Sequence, residues 1–264
     1  MKPRVLVLRA AGINCDVETA FAFELHGARA TRVHVNELLA GRTQLADFDL
    51  LAIPGGFSYG DDIAGGKVLA VELLYHLKDE LLALVERGGL VLGICNGCQV
   101  LVKTGLLPGI SAPIGIQEVT LTDNVSNKYE DRWIHLASVS DRNVFLKAGE
   151  RLALPMANGE GRYVPLDEAT HRRVVEGGHV AFRYVTAEGG RPGYPENPSG
   201  SIDDVAGLVD QSGRVLGLMP HPERALFGLH HPDWTGRTSS AHEAGPDEGD
   251  GARLFRNAVE HLKG

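Results

Sequence analysis

Residues 90–109, LVLGICNGCQVLVKTGLLPG, place two thiols where a short aliphatic run gives way to a helical pattern. Cys95 and Cys98 in that setting admit three chemistries: a Cys-x-x-Cys redox pair, half of a zinc site, or one nucleophile with a bystander. Around Cys95 the pattern Gly93-Ile94-Cys95-Asn96-Gly97 supplies the small flanking residues that a sharp strand-to-helix nucleophile elbow requires. In such a turn the side chain projects above the sheet edge and the helix amides behind it favour a thiolate. The Asn96 amide then points where an oxyanion would develop, and the turn Gly55-Gly56 can bring the Gly56 amide to the same place. A glycine pair also changes backbone state at small cost, which would let a docked partner set that second donor.

A thiolate needs a proton shuttle and something to orient it. The stretch GLMPHPERA, 217–225, offers both: His221 and Glu223 lie two residues apart, between and beyond Pro220 and Pro222. If the prolines hold this stretch extended, period-two geometry puts imidazole and carboxylate on one side, where Glu223 can accept the imidazole N–H and fix its tautomer.

These side chains need a frame. RVLVL (4–8), ATRVHV (30–35), DLLAIPGG (49–56) and LVLGI (90–94) read as buried strands; 16–28 reads as a helix, 66–89 as two helical pieces, and the chain after Cys95 as helical until Gly105 and Pro108. Strands alternating with helices predict an α/β fold with a mainly parallel, doubly wound sheet. The second half reads differently, as short strands in GIQEVTLTDN, RWIHLASV, ERLALPMA, HVAFRYV, DVAGLVD and RVLGLMPH. These predict antiparallel additions to the same core, with the last run returning to it, where the strand ending in His-Pro-Glu can neighbour the elbow strand at equal polarity. Residues 230–251 read as an exposed loop and ARLFRNAVEHL, 252–262, as an amphipathic closing helix. With no repeat and no linker, residues 1–264 are expected to form one domain.

Composition limits the partners. The 26 basic and 34 acidic residues leave a net charge of −8, so no basic surface invites nucleic acid or an anionic membrane. No apolar stretch is long enough for a span and the N-terminus lacks a signal-peptide pattern, which predicts a cytoplasmic protein with its three cysteines reduced.

The motifs GINCD (12–16), IPGGFSYGD (53–61), GICNGCQVL (93–101), GLLPG (105–109), KYEDRW (128–133), GEGR (159–162), YPENPSGSIDDVAGLVD (194–210) and GLMPHPERA (217–225) together resemble the class I glutamine amidotransferases. Within that class, GGFSYGD, CNGCQ and the Asn-Pro-x-Gly-Ser stretch are similar to the glutaminase components of phosphoribosylformylglycinamidine synthases. The resemblance implies a flavodoxin-like amidotransferase fold and a Cys95–His221–Glu223 triad that hydrolyses glutamine. It also implies that Gln99 contacts the substrate. Ammonia would pass to a separate synthetase subunit, with or without a small bridging subunit, that makes the amidine of formylglycinamide ribonucleotide. No cofactor is expected on this chain, since ATP and magnesium belong to the synthetase. One departure stands out: the family commonly has His-Gly-Glu-Gly where this chain has Asn158-Gly159-Glu160-Gly161.

Other readings stay open. A redox dithiol of the same architecture and an amidotransferase serving a different synthetase share most of these features. For zinc, Cys15 is the only further thiol, so Cys98 is expected to be a small hydrophobe facing the core. Cys15 lacks an elbow and reads as structural or substrate-side. A metal at His221, His230, His231 and Asp233 competes with a plain polar loop, and no metal is expected. GGFSYGDD lacks the Gly-Lys of a phosphate loop. Glu160 and Arg162 read as surface or interface groups and Trp133 as a packed aromatic.

Overall fold

A computed structural model describes residues 1–111, 114–237 and 248–264. The aliphatic runs become strands β1 (Arg4–Arg9), β2 (Arg29–His34), β3 (Leu50–Ile53) and β4 (Leu90–Ile94), and every residue of β3 and β4 is buried. The later runs form β5 (Val119–Asp123), β6 (Glu130–Ser138), β7 (Arg151–Asn158), β8 (Glu160–Pro165), β9 (Val180–Val185), β10 (Val205–Val209) and β11 (Val215–Leu218). Nine of these make one sheet in the order β2-β1-β3-β4-β11-β10-β9-β6-β7, while β5 and β8 pair separately.

The sheet has two halves. From β2 to β11 all pairings are parallel, in the flavodoxin order, and from β11 to β7 all are antiparallel. The return of β11 beside β4 matters most for the site. Leu218 is in register with Ile94, and the Cys95 amide donates to the Leu218 carbonyl at 2.8 Å. The strand that leads to Cys95 and the strand that leads to His221 therefore end side by side.

Helices α1 (Asp16–Leu25), α2 (Val35–Leu39), α3 (Lys67–His76), α4 (Lys78–Glu86), α5 (Asn96–Thr104), α6 (Glu168–Glu176), α7 (Trp234–Arg237) and α8 (Ala252–His261) complete the chain. Phe23 of α1 meets Phe255 of α8 edge to face at 4.9 Å. Residues of both halves of the chain share one hydrophobic core. Between Gly66 and Gly89 the two expected helical pieces are α3 and α4. Besides the short helices α2 and α7, two elements were not expected from the sequence, β8 and α6. The first is short and polar and is held by pairing with β5; the second buries mainly Thr170 and Val174 and starts at Asp167, whose side chain accepts from the Thr170 amide at 2.7 Å. Of the loop expected over 230–251, residues 238–247 lie outside the described residues, and 234–237 form α7.

Close backbone packing fixes the elbow. A Cβ on Gly97 would stand 1.8 Å from the Ile53 carbonyl oxygen, and one on Gly93 would stand 2.6 Å from the Gly97 carbonyl oxygen. Glycine at both positions lets α5 sit directly over β3 and β4. We expect Gly97→Ala to force the helix off the sheet and to cost about 2 kcal/mol or more, read as a lowered urea midpoint; an unchanged midpoint would contradict this packing.

Candidate functional site

Cys95 is the residue before α5 and takes φ 51°, ψ −108°, a backbone conformation that a residue with a side chain adopts only where its surroundings impose it. Its thiol is buried but lines a cavity of about 220 Å³ at the carboxyl ends of the parallel strands. The cavity walls are Gly56, Phe57 and Asp61 from the turn after β3, Cys95 and Gln99 from the elbow, Tyr129, and Ala157 to Glu160 from the β7–β8 turn.

His221 and Glu223 meet as expected, by a different route. Pro222–Arg224 is a 3-10 turn rather than extended chain, and this turn brings Glu223 Oε1 to 2.5 Å from His221 Nδ1. The proline ring preorganises the first turn position, so the doublet comes from turn geometry and not from strand alternation. His221 is anchored by its amide, which donates to the Pro155 carbonyl of β7 at 2.8 Å. Burial opposes a charged imidazole, but the Glu223 carboxylate and the Cys95 thiol outweigh it and hold His221 well above its ordinary value. Its Nε2 is buried, and the Cys15 and Cys95 thiols interact with the imidazole and help to raise its pKa.

Of the two expected oxyanion donors, Gly56 lines this cavity and Asn96 follows Cys95 at the start of α5. Gly56 takes φ 144° and its missing Cβ would clash with Gly12, Ile13 and Asn14 backbone atoms at 2.6–2.8 Å. An antiparallel bridge to Ile13 is closed by Phe57 N–H to Gly12 O at 2.9 Å and Asn14 N–H to Gly55 O at 3.3 Å, which leaves the Gly56 N–H outside its hydrogen bonds. The backbone freedom expected of Gly55-Gly56 is thus largely removed. These bonds, with the Ser58 amide donating to Asn96 Oδ1 at 3.1 Å, pin the turn against the 12–15 loop and the elbow.

Gln99 lies on the cavity wall with much of its amide engaged. Its Nε2 donates to the Glu160 carbonyl at 2.7 Å and its Oε1 accepts from Asn96 Nδ2 at 2.9 Å. One N–H of the primary amide remains for a ligand. Asn96 Nδ2 also donates to Asp61 Oδ1 at 2.9 Å, and Glu160 Oε2 accepts from the Gly65 amide at 3.1 Å. Asp61, Tyr129 and Glu160 therefore belong to the cavity, although Glu160 read as a surface or interface group. Their signal lay in the GGFSYGD, KYEDRW and GEGR motifs, while the distance between those motifs along the chain hid the convergence. Asn158, in place of the family histidine, is buried with neither amide atom hydrogen-bonded.

Cys98 faces away from the cavity, its Sγ 2.9 Å from the Cβ position of Gly217 on β11, and burial pushes its thiol far up. That placement matches a small hydrophobe. Cys15 is different: it is fully buried beside the imidazole, accepts from Arg224 Nη2 at 3.0 Å, and burial raises its thiol too. Of the cluster read around His230, His231 and Asp233, His231 Nδ1 accepts from the Asp233 amide at 3.1 Å. Among the described residues, the group close enough to share a metal is Cys15, His221 and Glu223.

Comparisons with known proteins agree with this geometry. A family model described as a CobB/CobQ-like glutamine amidotransferase domain matches residues 2–262. The chain is 44% identical to phosphoribosylformylglycinamidine synthase subunit PurQ of Dehalococcoides mccartyi, over 98% of this chain and 97% of that protein. It is 36% identical to the PurQ subunit of Thermotoga maritima over the full length of both. A chain in the solved structure of PurLQS from Thermotoga maritima superposes with a TM-score of 0.72 at 32% identity, covering 99% of this chain and 100% of that one.

The Glu223 contact yields a graded expectation. Glu223→Gln keeps a hydrogen-bonding partner for imidazole but loses the charge that stabilises imidazolium, so turnover should fall roughly 10³- to 10⁴-fold, less than for Cys95→Ala. Steady-state glutamate release by both variants checks this, and a loss in Glu223→Gln as large as that in Cys95→Ala would count against an orienting role.

Proposed function

The chain belongs to the CobB/CobQ-like glutamine amidotransferase family, and from that premise we propose that it is the glutaminase subunit of a phosphoribosylformylglycinamidine synthase. Full-length identity to PurQ subunits and the match to the PurLQS assembly support the substrate, glutamine, and the partner, a synthetase subunit with a small bridging subunit. The product ammonia is used to convert formylglycinamide ribonucleotide to the amidine in purine biosynthesis. ATP and magnesium act on the synthetase, and this chain carries no cofactor in the reading. No helix among the described residues is long and apolar enough to cross a membrane, and we place the protein in the cytoplasm.

The observation that carries the chemistry is a strained nucleophile beside a buried carboxylate-bound imidazole at one cavity. In this reading Cys95 Sγ attacks the side-chain amide carbon of glutamine, and the Gly56 and Asn96 amides receive the oxyanion. His221 gives its proton to the leaving ammonia while Glu223 holds Nδ1. Water, deprotonated by the same imidazole, then cleaves the thioester and releases glutamate. Asp61 and Glu160 suit the α-ammonium of an amino acid, and the remaining Gln99 N–H suits its polar atoms.

The test uses the reconstituted complex with ATP and formylglycinamide ribonucleotide. Cys95→Ala should reduce glutamine-supported amidine formation to background and leave synthesis from added ammonium salt near the wild-type rate. Persistent glutamine-supported synthesis would refute the nucleophile, and loss of both activities would refute the division of labour.

A further inference from the structure

The catalytic imidazole has a second thiol beside it that the glutaminase mechanism does not use. Donor atoms of Cys15, His221 and Glu223 all lie within 4.8 Å of one another, and all three residues are buried. Cys95 joins them at Gly55. A Cβ there would stand 2.8 Å from His221 Cε1, 3.2 Å from Cys15 Sγ and 3.4 Å from Cys95 Cβ. Glycine at 55 thus lets two thiols and one imidazole converge.

We propose that Cys15, Cys95 and His221 form an inhibitory site for a thiophilic divalent cation of the zinc class, a brake on the activity assigned above. The proposal rests on Cys95 as nucleophile and His221 as base. Four observations carry it. Two sulfurs and one imidazole nitrogen are the donor set of zinc and its neighbours rather than of magnesium or calcium. His221 is 1% exposed and its imidazole interacts with both the Cys15 and the Cys95 thiol, while Glu223 Oε1 holds Nδ1 at 2.5 Å, the carboxylate–imidazole arrangement that orients metal-binding histidines. The cation would balance the charge of the two thiolates, and Arg224 Nη2, 3.0 Å from Cys15 Sγ, favours loss of the Cys15 proton. Finally, Cys95 opens on the cavity, which gives the fourth position to water. Zinc–sulfur bonds are about 2.3 Å and zinc–nitrogen bonds about 2.0 Å; Cys15 and His221 already offer donor atoms within 4.8 Å of each other, and Cys95 Sγ, which points toward the Ala157 carbonyl, must rotate toward them to complete the set. On binding, Cys15 Sγ, Cys95 Sγ and His221 Nε2 each release to solvent the proton they carry as their bonds to the metal form, and no oxidant is involved. The metal occupies the nucleophile and the base together, so glutamine hydrolysis stops until a chelator removes it.

The experiment titrates the full chain, alone and with its synthetase, with chelator-buffered zinc while glutamate release is followed. One zinc per chain should bind and abolish release, with recovery on chelation. X-ray absorption at the zinc edge of the wild-type chain should count two sulfurs and at least one imidazole. Cys15→Ser and Cys15→Ala should keep glutaminase activity without zinc and need at least about tenfold more zinc for inhibition. A sulfur count of one or none overturns the site whether or not the variants fold. Equal zinc sensitivity in wild type and both variants overturns the role of Cys15. If glutaminase chemistry resides elsewhere, zinc would bind with two sulfurs yet leave glutamate release unchanged, which overturns the brake while the metal site stands.

Discussion

Cys95 faces its cavity because its backbone stands at φ 51°, ψ −108°, and the rest of the site is arranged to keep it there. Such a conformation costs on the order of 1–3 kcal/mol. The stabilisation comes from the strand beneath: Leu90–Ile94 is wholly buried between β3 and β11, and burying each large aliphatic side chain contributes roughly 1.5–3 kcal/mol. The Cys95 amide is fixed to Leu218, and Gly97 lets the following helix press on the Ile53 carbonyl. Moving the thiol would mean shifting three adjacent strand ends.

The same edge of the sheet supplies the remaining groups. The turn after β3 brings Gly56, the end of β11 brings His221, and the β7–β8 turn brings the wall opposite the thiol. Side-chain bonds lock these turns together: Asn96 reaches Ser58, Asp61 and Gln99, and Gln99 reaches the Glu160 carbonyl. A site tied in this way holds the Gly56 turn and the elbow in place before substrate arrives, which is where preorganised groups give most catalysis. Regulation then acts through groups that touch the nucleophile and base, and Cys15 is such a group.

Much of this was legible in the sequence because it is local. The aliphatic run, the small neighbours of Cys95 and the helical pattern after it lie within a dozen residues, and they specify the elbow. The parallel half of the sheet followed from strand–helix alternation, and the strand runs of the second half from their short apolar stretches. His221 and Glu223 were legible as a pair, although a 3-10 turn and not an extended segment joins them. The parts that were not legible are non-local. Glu160 is a wall residue because a turn 61 residues from Gln99 folds onto the elbow, and Cys15 reaches Arg224 across 209 residues. Spacing along the chain carries no signal for such contacts. β8 escaped notice because pairing with β5 stabilises it in place of an apolar face, and α6 because its capping aspartate, Asp167, is a single-residue signal.

The central claim is that Cys95, and neither of the other thiols, attacks the substrate. Rapid acid quench of the wild-type complex turning over isotopically labelled glutamine, followed by peptide mapping, locates the thioester directly. The account predicts a labelled γ-glutamyl group on the peptide containing Cys95, assigned to Cys95 rather than Cys98 by fragmentation and cleared on a chase with unlabelled glutamine. Label on Cys15 or Cys98, or steady turnover with no acylated thiol at any quench time, would contradict it.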